Sequence, residues 1–238
     1  MPWKNTPDET AANFAYTHLV KNLPIRLEAD GRVHAETLLA ASGAICGYAC
    51  QRAVLEQVRQ GAPTGGDRLM AITCGNGQRY LMGDMLNELF FNGPGDPHAK
   101  LWPLLSGTAA GKGLALAQQP TSAEIFSPIA ASLGEPHEGR ISVEDKHQPG
   151  VPVAQLLRAV WPLAMLCLTG EIMKDSALIR GSGRSFAVPV ALWPAVTAWA
   201  VVQHFGQALG VLDARTAMLI VMQSASFGSK LPHDRIEG

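Results

Sequence analysis

The fold is decided by one stretch of sequence, TLLAASGAICGYACQ, which runs from Thr37 to Gln51 without an acid or a base. Its apolar side chains recur at the three- and four-residue spacing of an α-helix. A second side of the same helix is also apolar or small, and a helix that is apolar on most sides is buried on most sides. We therefore predict a central buried helix from about His34 to Gln60.

Small residues are concentrated on this helix, where neighbouring backbones can approach it closely. They are Ser42, Gly43, Cys46, Gly47, Ala49 and Cys50.

The composition excludes several classes of protein. The chain has 238 residues, of which 47% are apolar and 16% charged, with a formal net charge of -1. It lacks the basic excess of a nucleic-acid-binding protein and the polar excess of a disordered chain. Its four cysteines are too few for a disulfide framework. The apolar run from Ala187 to Val202 is shorter than the roughly 20 residues of a membrane span. We expect no nucleic-acid or membrane partner.

The first residues, from Met1 to Glu9, contain no apolar signal segment. We therefore expect a cytoplasmic location with reduced thiols.

Helices account for most of the remaining chain, and several begin with a capping residue. The predicted N-caps are Thr6, Asp96, Thr121 and Asp213. The corresponding helices run from about Pro7 to Lys21, His98 towards Leu116, Ser122 to Leu133 and Ala214 to Phe227. Two more are predicted from Val153 to Lys174 and from Pro189 to Leu209, and Asp84 is expected to cap a short one.

One β-hairpin is predicted, with strands Leu69–Cys74 and Gln78–Met82 around Gly75-Asn76-Gly77. Asn-Gly favours a two-residue type I′ turn, which places Thr73 opposite Tyr80. An isolated hairpin is marginal in water. A third strand at 25–28 or a second copy of the chain would complete the sheet.

The fold class that follows is mainly α (α+β), a multi-helix bundle around a central buried helix with a small antiparallel hairpin or three-stranded sheet. We expect a single domain over residues 1–238, with residues 229–238 as a frayed tail. Three Trp-Pro pairs begin at Trp102, Trp161 and Trp193. Proline inside a helix kinks it, and such kinks could open a cavity.

The segment from Glu135 to His147 concentrates histidines and carboxylates, the side chains that bind zinc, iron or manganese. The candidate metal ligands are His137, Glu138, Asp145 and His147. Their spacing matches no helical metal motif, so a solvated loop is the alternative.

Three residues are candidates for ligand binding. His204 ends a long apolar helix beside two glutamines, where it would line a polar pocket or be a satisfied core histidine. Arg180 and Arg184 flank Gly181-Ser182-Gly183, a pattern that suits either an anion-binding nest or a flexible linker.

No catalytic residue is named, because no Ser/His/Asp order, nucleophile elbow or Cys-x-x-Cys pair is present. Cofactors stay unknown, and whether the protein is an enzyme stays open. The first hypothesis is a homo-oligomeric interaction protein, most simply a homodimer, because Phe90-Phe91 and the hairpin suggest unburied apolar surface. The alternative is a small-molecule-binding protein or enzyme with a cavity between helices, lined by one of the candidate groups.

Overall fold

The computed structural model describes residues 1–173 and 186–238. It is mainly helical with one small antiparallel sheet, as predicted. The helices are α1 (Glu9–Leu27), α2 (Ala35–Arg59), α3 (Asp84–Phe90), α4 (Leu101–Gly111), α5 (Ser122–Ser132), α6 (Val153–Leu168), α7 (Trp193–Ala208), α8 (Ala214–Gly228) and α9 (His233–Ile236). The strands are β1 (Met70–Thr73) and β2 (Arg79–Met82).

Helix α2 is the centre of the fold, and it packs against α6, α7 and α8. Its closest neighbour is α8, which touches the small residues of α2. A Cβ atom built on Gly43 would lie 2.4 Å from the carbonyl oxygen of Val221, and one on Gly47 would lie 1.9 Å from that of Ala225. Only glycine leaves room for this approach. We call this contact the α2–α8 seam.

Two of the predicted caps are confirmed in full. Thr121 and Glu124 form a reciprocal capping box at the start of α5, and the Asp213 carboxylate accepts from the Thr216 N–H at the start of α8. The first predicted helix is present as α1, but its predicted cap is wrong. That helix begins at Glu9, and the Thr6 hydroxyl donates to the Trp3 carbonyl instead of capping the helix.

The prediction of a third strand at 25–28 is also wrong, because α1 continues through Pro24 to Leu27. Proline has no N–H to donate to the carbonyl four residues earlier, which here belongs to Val20. His204 on α7 supplies the missing donor: its Nε2 lies 3.2 Å from the Val20 carbonyl oxygen. A side chain from another helix thus compensates the proline.

In helix α5 too, a side chain from another helix compensates an internal proline. Pro128 lies inside it and frees the carbonyl of Glu124. The buried Gln223 amide of α8 donates to that carbonyl at 2.7 Å.

The hairpin forms with a register one residue away from the predicted one. Thr73 pairs with Arg79 and Ile72 with Tyr80. The loop has three residues, since the Gly77 N–H donates to the Cys74 carbonyl and Gly77 alone in it has a positive φ, of 80°. A turn that ends in one left-handed glycine gives a three-residue loop instead of a type I′ turn.

The hairpin is hydrogen-bonded to two other segments of the same chain. The Leu81 N–H donates to the Lys230 carbonyl at 2.9 Å, and the Asn76 amide donates to the Gly134 carbonyl at 2.7 Å. The C-terminal residues, predicted to fray, are packed: Leu231 and Ile236 are buried.

Phe90 is fully buried, which contradicts its expected exposure. Its neighbour Phe91 packs against Trp102 and Phe126.

The Trp-Pro pairs do not act as three helix kinks. Pro103 and Pro194 lie in the first turns of α4 and α7, where a backbone N–H has no helical acceptor to lose. Only Pro162 lies inside a helix. Trp161 beside it is buried edge-on against Tyr48, with ring centroids 4.6 Å apart.

Among the described residues, α2 is also the one helix long and apolar enough to cross a membrane. However, 89% of its most apolar window is buried inside the fold. A core helix passes the same test of length and composition.

Candidate functional site

An open groove of about 940 Å³ lies beside the first turn of α2. One wall is the α1–α2 connection, the second is the segment before α6, and the third is the α7–α8 connection. We call it the α2 groove. Its lining residues are Leu27, Ala29, Asp30, Arg32, Val33, His34, Ala35, Glu36, Thr37, Lys146, His147, Gly150, Val151, Val211 and Leu212.

The α1–α2 connection is a tight turn. Asp30 and Gly31 both have positive φ, 51° and 74°, and Ala29 and Arg32 exchange backbone hydrogen bonds of 2.9 and 3.0 Å across them. Two successive positive φ values are the geometry of a type I′ turn. The turn fixes the direction in which the chain enters α2, and thereby the positions of His34 and Glu36.

Glu36 is the centre of the polar part of the groove. It lies in the first turn of α2, where the helix dipole favours a negative charge. One carboxylate oxygen is 2.9 Å from His147 Nδ1 and the other is 3.4 Å from His34 Nδ1. Thr37 adds a second tie, because its hydroxyl oxygen accepts from the Gly150 N–H at 2.9 Å. These contacts hold the segment before α6 against the start of α2.

The contact with Glu36 sets the chemistry of His147. A carboxylate accepts hydrogen bonds, so Nδ1 of this imidazole carries a proton and Nε2 is the nitrogen that remains. The side chain of His147 is 23% exposed, against 10% for Glu36. An accessible imidazole is therefore oriented by a nearly buried carboxylate.

A second carboxylate acts on His147 from the start of α8. Burial would raise the pKa of Asp213, but the hydrogen bonds from Thr216 and the attraction of His147 outweigh it and hold that pKa below its ordinary value. His147 thus interacts with two carboxylates, that of Glu36 and that of Asp213.

The predicted metal ligands do not converge. Among the described residues, no group of three or more His, Cys, Asp or Glu side chains is placed to hold a metal ion. His147 contacts Glu36, and Asp145 pairs with Arg140. His137 and Glu138 line a smaller hollow of about 480 Å³, which adjoins the α2 groove at Gly150 and Val151.

Glu138 belongs to a separate cluster that fastens the C-terminus. Its carboxylate accepts from the Arg235 guanidinium, the Tyr80 hydroxyl and the Gly134 N–H. Burial would raise the pKa of Glu138, and the bonds from Arg235 and Tyr80 overcome it, so the pKa is lower than usual. Its contacts with Arg235 and Tyr80 hold the C-terminal segment against the hairpin, which is a structural role.

His204, the main ligand-binding candidate, is a satisfied core histidine. Its Nε2 donates to the Val20 carbonyl, so its Nδ1 accepts from the Ser42 hydroxyl at 2.9 Å. Burial lowers its pKa, which favours the neutral ring. The cavity beside it measures about 10 Å³, at the limit for one water molecule. Arg180 and Arg184 lie outside the described residues.

Sequence reasoning missed Glu36 and His34. One signal was available: Glu36 is the last charged residue before the uncharged stretch of α2, so its backbone is anchored to the core. Its partner His147 is far away in sequence, and no local pattern connects the two.

Comparisons with protein-family models, with curated proteins and with solved structures find no significant match. The α2 groove itself therefore provides the evidence on function.

Proposed function

We propose that this is a small-molecule-binding protein whose ligand occupies the α2 groove. One observation carries the proposal: an accessible imidazole, oriented by a nearly buried carboxylate, lies in a concavity of about 940 Å³. Ligand sites are typically concavities of about 300–1,000 Å³ with apolar walls and a few placed polar groups.

The apolar part of the groove supports this proposal. Val33, Val151 and Val211 all line it, and each is more than a third exposed. Large apolar side chains grouped around one concavity indicate a binding surface. His147, one of the candidate residues of the segment from Glu135 to His147, lines the same concavity and supplies a polar group beside the valines.

Binding is favoured over catalysis, because the nearest hydroxyl is not placed as a nucleophile. The Thr37 hydroxyl oxygen accepts from the Gly150 N–H and lies 3.2 Å from Nδ1 of His34, the same nitrogen that faces Glu36. A nucleophile–base–carboxylate relay needs the hydroxyl and the carboxylate on opposite nitrogens of the ring.

The test is ligand-observed NMR with a library of acidic, neutral and basic fragments, on the full chain and on Val33→Trp. The indole would project into the groove and obstruct it, so we expect fragment signals that this variant removes or weakens. Leu116→Trp is the matched control, since Leu116 is 72% exposed and is not part of the groove lining. Fragments that bind all three proteins alike, or none that bind, would refute the proposal.

Self-association stays a prediction. Two observations weaken the argument for it: the hairpin is hydrogen-bonded to the C-terminal segment, and Phe90 is buried. Native mass spectrometry at micromolar concentration tests it directly, and a strictly monomeric protein would refute it. A cytoplasmic location is likewise part of the proposal. It is supported by the four free cysteines, of which Cys46, Cys50 and Cys167 are buried.

A further inference from the structure

We infer that two copies of this chain associate through strand β1, whose outer edges pair antiparallel across a two-fold axis at Ile72. The inference is separate from the proposed function, because the residues that line the α2 groove lie outside β1. It gives the predicted self-association a surface and a register.

The two edges of the hairpin have different surroundings. The β2 edge is covered, since the Leu81 N–H donates to the Lys230 carbonyl of the C-terminal segment. The β1 edge is open. Among residues 1–173 and 186–238, β2 is the one strand paired with β1, and no backbone hydrogen bond joins β1 to any other element. Met70, Ala71 and Thr73 are exposed.

Hydrogen bonds around the hairpin fix which backbone groups of β1 face outward. Two residues directly opposite each other in an antiparallel pair face either towards or away from each other, and the two kinds of pair alternate. The Leu81 N–H points away from β1, so Ala71 opposite it also faces away from β2. The Cys74 N–H donates to the Gln78 carbonyl, which agrees with this alternation. The outward N–H and C=O groups of β1 therefore belong to Ala71 and Thr73.

The positions of these two residues make the β1 edge complementary to itself. An antiparallel second copy that places its Thr73 opposite Ala71 also places its Ala71 opposite Thr73. Each of these pairs exchanges two N–H···O=C bonds, so four interchain bonds satisfy the outward backbone groups of both strands. In this register Ile72 faces its own counterpart on the axis, and Met70 faces Cys74 of the second copy.

The side chains of β1 suit this pairing with a copy. Edge strands commonly resist pairing through charges or prolines, and the sequence Met70-Ala71-Ile72-Thr73 contains neither. The nearest charge in the sheet, Arg79, lies on β2, one strand further from the axis. Met70 is 39% exposed and gains burial against the second copy. Since the strand has only four residues, the interface is small, and we expect a reversible dimer.

The first test is sedimentation velocity of the full chain from about 1 to about 300 µM, a range suited to reversible association. We expect the dimer fraction to rise with concentration. Ala71→Pro removes an outward N–H and leaves the bonds to β2 in place, and proline is tolerated on an edge strand when its nitrogen faces outward. We expect this variant to weaken dimerisation at least tenfold.

Ser122→Pro is the matched control for the proline. Ser122 is an exposed residue at the first position of α5, where a backbone N–H has no helical acceptor. This variant should dimerise like the unmodified chain. The urea midpoint of each variant, measured at the lowest concentration, reports whether it is folded.

The second test locates the axis by cross-linking. Opposite residues of a non-hydrogen-bonded pair have Cα atoms about 4.5 Å apart, which a disulfide can span. Ile72→Cys should therefore form a disulfide-linked dimer under mild oxidation, detected by non-reducing electrophoresis. Thr73→Cys is the control, because Thr73 faces Ala71 of the second copy and the two new thiols lie too far apart. Both variants keep Cys74, so cross-linking through that residue would affect them equally.

A monomer at every concentration would overturn the inference, and so would unchanged dimerisation of a folded Ala71→Pro protein. Equal cross-linking of the two cysteine variants would overturn it as well. If Ala71→Pro does not fold, the cysteine variants decide the question. The fragment-binding test of the α2 groove depends on other residues, so either proposal can fail while the other stands.

Discussion

Helix α2 contributes to two regions that differ in almost every physical respect. Its middle, at Gly43 and Gly47, lies backbone against backbone on α8, with no charge and no space for one methyl group. Its first turn, at Glu36, lies beside an open groove and contacts two imidazoles across a loop. The seam tolerates one arrangement of atoms, whereas the groove leaves volume and polar groups unused.

The difference shows how one helix can carry both stability and a binding site. Packing at the seam fixes the middle of α2, and Glu36 lies two turns away on the same rigid helix. The loop residues around it need only weak ties, such as the bond from Gly150 to Thr37. Sites built on rigid elements keep their geometry better than sites built on loops alone.

The largest expected effect breaks the seam. Gly47→Ala places a Cβ 1.9 Å from the Ala225 carbonyl oxygen, so α2 and α8 must separate. We expect a loss of about 3 kcal/mol or more in the free energy of unfolding, measured by urea denaturation.

Gly107→Ala is the control for the seam. Gly107 is an exposed glycine inside α4, and none of the residues that the structure describes comes within 4 Å of the new methyl group. It should stabilise the protein by up to about 1 kcal/mol. If both variants behaved alike, the contrast between seam and surface would fail.

The next effect concerns a buried charge. Lys230 lies just after the end of α8, close to the otherwise uncharged seam. Lys230 is 4% exposed, and among residues 1–173 and 186–238 the partners of its Nζ are the carbonyl and hydroxyl oxygens of Ser226, each at 3.3 Å. Burial lowers its pKa to about 8. Between that pH and the ordinary 10.5, the unfolded chain holds a proton that the folded chain has lost. The free energy of unfolding should therefore rise with pH across this window, by about 3 kcal/mol at most.

Lys230→Met removes the buried charge. We expect it to stabilise the protein at pH 7 by about 1–3 kcal/mol and to flatten the pH dependence above 8. Lys146→Met, at an exposed position in the groove, should change stability by less than about 0.5 kcal/mol. A destabilised Lys230→Met protein would indicate that the ammonium has a stabilising role.

A smaller effect is expected where the C-terminus is fastened. Arg235→Ala removes the guanidinium that donates to Glu138 and leaves a half-buried carboxylate with fewer partners. We expect a loss of about 2 kcal/mol by urea denaturation. Arg140→Ala breaks an exposed pair with Asp145 and should cost about 0.5 kcal/mol or less. Equal losses would mean that the tail is not held by this cluster.

The smallest effect is a coupling between Pro24 and His204. His204→Leu leaves the Val20 carbonyl without a donor, but Pro24→Ala restores an N–H that can reach it. In a double-mutant cycle, His204→Leu should therefore cost about 1 kcal/mol less in the Pro24→Ala background. Pro162→Ala, on α6, should show no such coupling, and a coupling of equal size there would contradict the assignment.

The sequence predicts the fold better than the site. The central helix, its small-residue face and the caps at Thr121 and Asp213 depend on local pattern, and they are confirmed. The register of the hairpin and the path of residues 25–28 depend on partners distant in sequence. Proline usually ends a helix, but α1 continues through Pro24, and His204 donates to the Val20 carbonyl that the proline leaves without its helical partner.

The site was predicted only in part, for the same reason. A local concentration of histidines and carboxylates indicated the segment that contains His147. The other carboxylates of that segment do not join it, because Asp145 pairs with Arg140 and Glu138 pairs with Arg235. Glu36 gave no local sign of its role, because burial and pairing are set by tertiary contacts.

The hairpin loop has a consequence for the chemical ageing of the protein. An asparagine followed by glycine cyclises and deamidates readily when the glycine nitrogen can attack the side-chain amide carbon. Here the Gly77 nitrogen donates to Cys74, and the Asn76 side chain bonds both Gly134 and Gln78. The folded loop holds the two reacting groups in other bonds. Isoaspartate at position 76 would therefore accumulate only while the hairpin is open, and its rate of appearance would record how often that happens.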